Sequence, residues 1–193
     1  MENRKLQNEE LHRISTEEFK SVEKLPIVIV LDNIRSLNNV GSVFRTSDAF
    51  RLSKIYLCGI TATPPNREIH KTALGAEESV AWEYSKDTLP VIHRLEADGY
   101  KVFSVEQAEN SLSLEKVTLP TDGKYALVFG NEVKGVQQEV IDHSAGCIEI
   151  RDKTFIQHFR QCRHRTVAGR PSVAKPFLIF KTRIRNGQTD VYS

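Results

Sequence analysis

Asn39, Gly41 and Arg45 are the residues near the start of the chain that are best suited to chemistry. They follow an apolar run at 27–31 that predicts a strand, and ligands usually bind at the carboxyl ends of strands in α/β sheets. Gly41 permits close backbone approach, and Arg45 lies one helical turn further along on the same side. The segment 38–49 therefore predicts a ligand-binding strand-to-helix connection. An alternative is that Asn39 only caps a helix and Arg45 is a solvated helix charge.

A second candidate site follows the buried strand predicted at 125–129. Gly130, Asn131, Glu132 and Gly135 belong to a two-glycine turn that leads into a helix. Free backbone N–H groups at such a turn suit a polar or nucleotide-like ligand, and Glu132 is placed to hold a hydroxyl or to fix the loop. The spacing is neither G-x-G-x-x-G nor a P-loop. This argues against a dinucleotide-binding or NTP-binding site.

The elements that position these motifs alternate between strands and helices. Short apolar runs rich in branched residues predict strands at 27–31, 54–58, 79–84, 101–106, 125–129 and 147–150. Helical patterns lie between them, at 41–50, 67–74, 88–97 and 136–143. Ser15 and Glu18 have capping-box spacing, which predicts a further helix near the N-terminus. The predicted fold class is α/β, with a mostly parallel sheet and helices on both faces.

Composition indicates one domain in a reducing compartment. A chain of 193 residues with 39% hydrophobic content is long enough for a single substantial core. Three cysteines are widely separated along the chain: Cys58, Cys147 and Cys162. Their number and spacing predict free thiols in the cytoplasm rather than a disulfide framework. No leader or membrane-spanning stretch is predicted.

No metal site is predicted from the histidines. Three of them fall on separate predicted elements without ligand spacing: His70, His93 and His143. Surface or capping roles are expected for them.

In this order and at this separation, the two motifs resemble those of the SpoU/TrmH family of SPOUT methyltransferases. Asn39, Gly41 and Arg45 fall on the family's first motif, and the turn at 130–135 falls on its second. The similarity extends over roughly residues 25–150. The resemblance implies methyl transfer from S-adenosylmethionine to a ribose 2′-hydroxyl of tRNA or rRNA. It also implies a sheet closed by a trefoil knot and a homodimer, with no metal and no membrane.

The resemblance assigns catalysis to Arg45 and Asn39. Cofactor binding is assigned to residues near two strand ends: Phe129, Gly130, Asn131, Glu132, Gly135 and Ile150. The family gives the hydroxyl proton to the arginine that matches Arg45, although a guanidinium holds its own proton well above neutral pH. The alternative is that Arg45 positions an RNA phosphate and stabilises the developing alkoxide.

The similarity stops after Ile150. The family's third motif, Ser-Phe/Leu-Asn-Val/Ile-Ser, should follow and begin the knot helix, but residues 151–165 do not contain it. The charge balance changes at the same place. Residues 1–150 carry 17 Lys/Arg and 23 Asp/Glu, whereas residues 151–193 carry 10 and 2. We predict an N-terminal helical extension at 1–24, a SPOUT-like methyltransferase domain at 25–150 and a basic tail at 151–193.

A change of reading frame explains the tail. Residues 151–159 can be written in codons that, read one nucleotide later, give Gly-Thr-Lys-His-Ser-Phe-Asn-Ile-Ser, which contains the third motif. The codons after them give Val-Ser-Val-Gly-Ile-Val-Leu-Trp, which resembles the family's knot helix. We therefore predict an out-of-frame tail and a chain whose methyltransferase activity is impaired. The alternatives are a non-catalytic RNA-binding protein that uses the basic tail, or an inactive frameshifted product.

Overall fold

The structure is a computed structural model that describes residues 16–114 and 116–150, together with Arg4 and Gln7. Helices and strands alternate along most of this part of the chain. In chain order they are α1 (Thr16–Ser21), β1 (Leu25–Asp32), α2 (Leu37–Ala49), β2 (Leu52–Cys58), α3 (Arg67–Ala73), α4 (Ala76–Ser79), β3 (Trp82–Ser85), α5 (Leu89–Ala97), β4 (Lys101–Val105), β5 (Leu112–Ser113), β6 (Tyr125–Phe129), α6 (Gln138–His143) and β7 (Gly146–Glu149).

The seven strands of the described chain form one parallel sheet. Their order is β3-β2-β1-β6-β4-β7-β5, so β1, β6 and β4 are central. The predicted parallel α/β sheet is confirmed. Because all strands point the same way, the segments that follow β1, β4, β6 and β7 meet at one edge of the sheet. Both predicted motifs begin at this carboxyl edge.

Strand β1 shows why the sheet is covered on both faces. Ile27, Ile29 and Leu31 point to one face, and Val28 and Val30 point to the other, as the two-residue period of a strand requires. All five side chains are buried. Helices α2, α3 and α4 cover the first face, and α5 and α6 cover the second. Helices on both faces, predicted from the apolar runs, are therefore confirmed.

Helix α2 begins four residues earlier than the pattern predicts. Ser36, in extended conformation, is its N-cap, and the Ser36 hydroxyl accepts a hydrogen bond from the Asn39 N–H at 3.3 Å. The alternative in which Asn39 caps the helix is wrong. The Asn39 side chain is therefore available for a contact elsewhere.

The strand predicted at 79–84 is only partly correct. Its first residue ends helix α4, because Leu74 and Gly75 take left-handed conformations with φ of 54° and 90° and let a new helix start at Ala76. The Ser79 hydroxyl then donates to Asp48 of α2 at 2.6 Å. The two-residue strand β5 was not predicted, since so short a run carries no period.

Several predictions lie outside the described residues. Helix α1 is present, but the capping residue Ser15 is not described. The basic tail at 151–193 and the knot helix also lie outside the described residues. Within the residues that the structure describes, no helix is both long and apolar enough to cross a membrane.

Candidate active site at the carboxyl edge of the sheet

Gly41 allows helices α2 and α3 to touch. A Cβ atom at this position would lie 2.1 Å from the Thr72 hydroxyl and 2.3 Å from the Ile69 carbonyl oxygen. The Thr72 hydroxyl also donates to the Asn38 carbonyl at 3.1 Å. The close backbone approach predicted for Gly41 therefore occurs between two helices. It fixes the first motif against the α3–α4 corner.

Arg45 lies on the exposed side of α2. Helical spacing places it between Gly41 and Asp48 on one face of the helix. Among the residues that the structure describes, the Arg45 guanidinium has no hydrogen-bond or ion-pair partner. The guanidinium can therefore take a bidentate anion such as a phosphate without breaking an internal contact.

Glu132 joins the second motif to the first. One of its carboxylate oxygens accepts from the Arg35 N–H at 3.1 Å, and the other accepts from the Ser36 N–H at 3.0 Å. The second oxygen also accepts from the side-chain amide of Asn39 at 3.0 Å. Of the two roles considered for Glu132, the geometry shows the fixing of a loop. A half-buried carboxylate with three N–H donors is a strong local anchor.

Asn131 braces the turn from within. Its side-chain amide donates to the Asn33 carbonyl at 2.7 Å, and its side-chain oxygen accepts from the N–H groups of Val133 and Lys134 at 2.9 and 3.1 Å. Its backbone exchanges two hydrogen bonds with Gly135, of 2.9 and 2.8 Å. Asn131 and Glu132 thus shape the turn, and nothing in these contacts shows either of them holding a ligand directly.

Both glycines of the turn are required by close packing. A Cβ atom at Gly130 would lie 2.1 Å from the Val136 nitrogen. Gly135 has a φ of 74°, and a Cβ atom there would lie 2.2 Å from a carboxylate oxygen of Glu106. Neither position accepts a larger residue without rearrangement.

Glu106 belongs to this site, although the sequence analysis gave it no role beyond ending a predicted strand. It follows β4, and its carboxylate accepts from the Val136 N–H at 3.0 Å and from the Gln107 N–H at 2.9 Å. Burial raises the pKa of the Cys147 thiol, and the Glu106 carboxylate raises it further. Its place directly after a predicted strand was the sequence signal, and the glycine turn that it contacts lies about 30 residues further along the chain.

Asp32 is a second residue of this edge that the sequence analysis missed. It ends β1, is fully buried and accepts four hydrogen bonds. The donors are the side chains of Asn33 and Thr88 at 2.9 and 2.6 Å, and both the backbone and side-chain nitrogens of Gln137 at 2.9 and 2.7 Å. Asp32 thereby holds Gln137, the N-cap residue of α6, at the end of the turn. Its four partners satisfy a charge that would otherwise be costly to bury.

Cys58 lies close to this buried carboxylate. Burial raises the pKa of its thiol to about 12, and the Asp32 carboxylate adds to the rise while a hydrogen bond with Thr88 opposes it. The thiol is therefore protonated at physiological pH and unsuited to nucleophilic chemistry.

Three apolar side chains border the centre of the edge. Val105, Phe129 and Ile150 are half-buried and pack against the core. Val105 pairs in register with Phe129 on one side and with Ile148 on the other. Strands β6 and β7 are two strand spacings apart, about 10 Å. The edge thus presents a short apolar wall on the face covered by α2, and the Glu106 carboxylate lies at the same edge on the Val136 side.

His70, His93 and His143 are all exposed and lie on three different helices, so the predicted surface positions are confirmed. His93 and His143 have ring centres 5.0 Å apart, edge to face. His70 pairs with Glu77 of α4 at 2.5 Å. In the described part of the chain, no three metal-binding side chains are grouped so that they would hold an ion.

Comparison with known proteins decides the family. A model of the SpoU rRNA Methylase family matches residues 26–157. The chain belongs to the SpoU rRNA methylase family. A tRNA (guanosine(18)-2′-O)-methyltransferase of Borreliella burgdorferi is 25% identical over 133 residues, which are 69% of this chain and 59% of that protein. A putative TrmH family tRNA/rRNA methyltransferase of Staphylococcus aureus is 28% identical over 64% of this chain and 48% of its own length. The chain thus spans between about half and three fifths of the length of these curated relatives.

Solved structures of the SpoU family share the fold. An AdoMet-bound rRNA methyltransferase from Sinorhizobium meliloti superposes with a TM-score of 0.67 at 20% identity, over 89% of this chain and 61% of that one. The AdoMet complex of AviRb, a SpoU methyltransferase from Streptomyces viridochromogenes, superposes with a TM-score of 0.65 at 15% identity, over 88% of this chain and 64% of that one. At these identities the likeness establishes the fold alone.

Proposed function

We propose that this chain descends from, and retains the scaffold of, an S-adenosylmethionine-dependent RNA methyltransferase that modifies a ribose 2′-hydroxyl of tRNA or rRNA. The observation that carries the proposal is the hydrogen bond between Asn39 and Glu132, which joins the two family motifs at one edge of the sheet. The names of the relatives support RNA as substrate, and the name of the Borreliella burgdorferi relative, which specifies 2′-O-methyl transfer, supports the ribose as the position of transfer.

The described residues fit the adenosyl part of this cofactor. Phe129 and Ile150 supply an apolar wall for the base, and Gly130 lets the turn close tightly beside it. Asn131 and Glu132 act as positioning residues, because their polar atoms already hold the turn and the start of α2. When bound, the cofactor supplies an electrophilic methyl group on its sulfonium sulfur.

Arg45 and Asn39 act on the RNA substrate. The ribose hydroxyl oxygen must lose its proton as it attacks the methyl carbon, so the protein has to orient the ribose and stabilise negative charge. We assign Arg45 an electrostatic role, because its exposed guanidinium can bind an RNA phosphate near the ribose but does not readily accept a proton. Asn39 fixes the start of the helix that carries Arg45.

We infer from the family a homodimer with a trefoil knot that works in the cytoplasm. We also propose that the residues from about Arg151 onward are out of frame. The third motif would complete the cofactor pocket opposite Phe129 and Ile150. The chain as it stands should therefore bind the cofactor weakly.

Calorimetry with S-adenosylmethionine tests this proposal on two proteins. One is the chain as it stands, and the other carries the frame-restored sequence after Ile150. We expect clear binding by the restored protein and much weaker binding by the chain itself. Equal, strong binding by both would refute the role given to the third motif. Absence of binding by the restored protein would refute the cofactor assignment.

An RNA-binding protein without methyltransferase activity is the second candidate, favoured by the charge of the tail. Residues 151–193 carry 10 Lys/Arg against 2 Asp/Glu. Binding of bulk tRNA that falls steeply with salt, and that disappears when the tail is removed, would support it.

A further inference from the structure

Glu106 occupies the centre of the carboxyl edge. It follows β4, which lies between β6 and β7, and its N–H donates to the Ile148 carbonyl at 3.2 Å. The preceding residue, Val105, is in register with Phe129 of β6. The side chain of Glu106 therefore emerges between the two strand ends that border the proposed cofactor site.

Two backbone N–H groups hold the Glu106 carboxylate in place and leave part of its hydrogen-bonding capacity free. One oxygen accepts from Val136 at 3.0 Å, and the other accepts from Gln107 at 2.9 Å. The first oxygen also packs against Gly135, where a Cβ atom would lie only 2.2 Å away. An ionised carboxylate accepts about four hydrogen bonds, so about half of its capacity remains. Glu106 is only half-buried, so a ligand at this edge can reach it.

The Glu106 carboxylate lies close enough to β7 and to the turn after β6 to affect residues in both. The Glu106 carboxylate contributes, after burial, to the raised pKa of Cys147 on β7. It also contacts Val136 in the turn that follows β6. The carboxylate thus lies close to both strands that flank β4.

The chemistry of the edge selects a particular ligand group. Apolar side chains at 105, 129 and 150 suit a flat base, and the rigid carboxylate at the same carboxyl edge, on the Val136 side of β4, suits a donor of two adjacent hydroxyl groups. In dinucleotide-binding sheets, an acidic residue near the site serves the ribose hydroxyls in this way. We propose that Glu106 binds the ribose hydroxyls of the adenosyl cofactor. This inference rests on the proposed function and adds a cofactor-binding residue from β4 to those that follow β6 and β7.

Ligand-observed NMR titrations of the full chain test the inference, since they detect weak binding. The probes are adenosine and 2′,3′-dideoxyadenosine, each titrated into the unchanged chain, Glu106→Ala and the control Glu109→Ala. Glu109 is an exposed carboxylate three residues further along. We expect the unchanged chain and the control to prefer adenosine by about tenfold, as a hydrogen bond to a charged group allows, and Glu106→Ala to show no preference.

The ratio of the affinities for adenosine and dideoxyadenosine distinguishes a direct contact of Glu106 with the ribose hydroxyls from a role in holding the turn. If Glu106 only holds the turn, its removal weakens the binding of both ligands equally. The ratio of the two affinities then stays the same as in the unchanged chain, which would overturn the inference. A ratio near one in the unchanged chain would overturn it as well, while the cofactor proposal stands. If neither ligand binds to the chain or to its frame-restored form, both proposals fail. Both ligands are measured on one preparation, so partial unfolding of a variant cancels in the ratio.

Discussion

The side-chain amide of Asn39 donates a hydrogen bond of 3.0 Å to the carboxylate of Glu132, across 93 residues of sequence. The same carboxylate accepts from the backbone of Arg35 and Ser36. One acidic side chain thus links the turn after β6 to the start of the helix that carries Arg45. The cofactor side and the substrate side of the proposed site are mechanically one unit.

Substitutions of Glu132 and Asn39 should lower the free energy of unfolding, and their effects should not be additive. We expect Glu132→Ala to lower the free energy of unfolding by about 2 to 4 kcal/mol, because three N–H groups lose a charged acceptor. Asn39→Ala should cost about 1 kcal/mol, and the double variant should cost less than the sum. Urea unfolding measures all three. Strict additivity, within about 0.3 kcal/mol, would show that the two side chains do not interact.

Gly41 should be intolerant of any side chain. Gly41→Ala places a methyl group 2.1 Å from the Thr72 hydroxyl, and we expect a loss of about 1 to 3 kcal/mol through overpacking between α2 and α3. Gly146→Ala is the matched control, since a methyl group there meets only ring atoms of Phe103 at 3.7 and 3.8 Å. Thermal and urea unfolding compare the two. Equal effects of both substitutions would contradict the tight helix contact.

Cys58 should make the protein less stable at high pH. Its folded pKa of about 12 lies above the ordinary 9.0, so the folded state keeps a proton that the unfolded state releases. The corresponding stabilisation is complete below pH 9 and is lost as the pH rises from 9 towards 12. We expect the urea midpoint to fall over this range more in the unchanged chain than in Cys58→Ala. Parallel curves for the two proteins would contradict the burial of this thiol.

Arg45 should act through its charge. In the frame-restored protein we expect Arg45→Ala to abolish methyl transfer while leaving unfolding stability unchanged, because the side chain is exposed. Arg45→Lys should retain part of the rate, with a pH-rate profile of the same shape. Arg67→Ala, another exposed arginine, serves as the control. A profile whose inflection moves in Arg45→Lys would instead support a role in proton removal.

The parts of this fold that follow from local pattern were predictable, and the contacts between distant segments were not. Apolar runs and helical periods located the six longer strands and the cores of α2, α3, α5 and α6, whereas α4 was not predicted. The start of α2 was misplaced because Ser36 and Asn39 are both good caps, and only the contact with Glu132 decides between them.

The same limit applies to the site. Asn39, Arg45 and the glycine turn were found through the family resemblance, and their assigned roles stay predictions. Asp32 and Glu106 were missed because their partners, Gln137 and Val136, lie 105 and 30 residues away. Nothing in the local sequence distinguishes a buried acidic anchor from an ordinary residue at a strand end.

The DNA that encodes residues 151–169 should contain an intact third motif in the adjacent frame. We expect codons that give Ser-Phe-Asn-Ile-Ser when read one nucleotide later. Sequencing of the source gene, with reads across the codon of Ile150, provides the measurement. Codons incompatible with the shifted reading would identify the basic tail as a genuine extension.

Methyl transfer to RNA tests the central claim most directly. The frame-restored protein is incubated with labelled S-adenosylmethionine and bulk tRNA and rRNA, and the digested nucleosides are identified by mass spectrometry beside those from the chain as it stands. We predict label in 2′-O-methylated nucleosides with the restored protein and little or none with the present chain. Label on the bases, or no transfer by the restored protein to any RNA, would contradict the account.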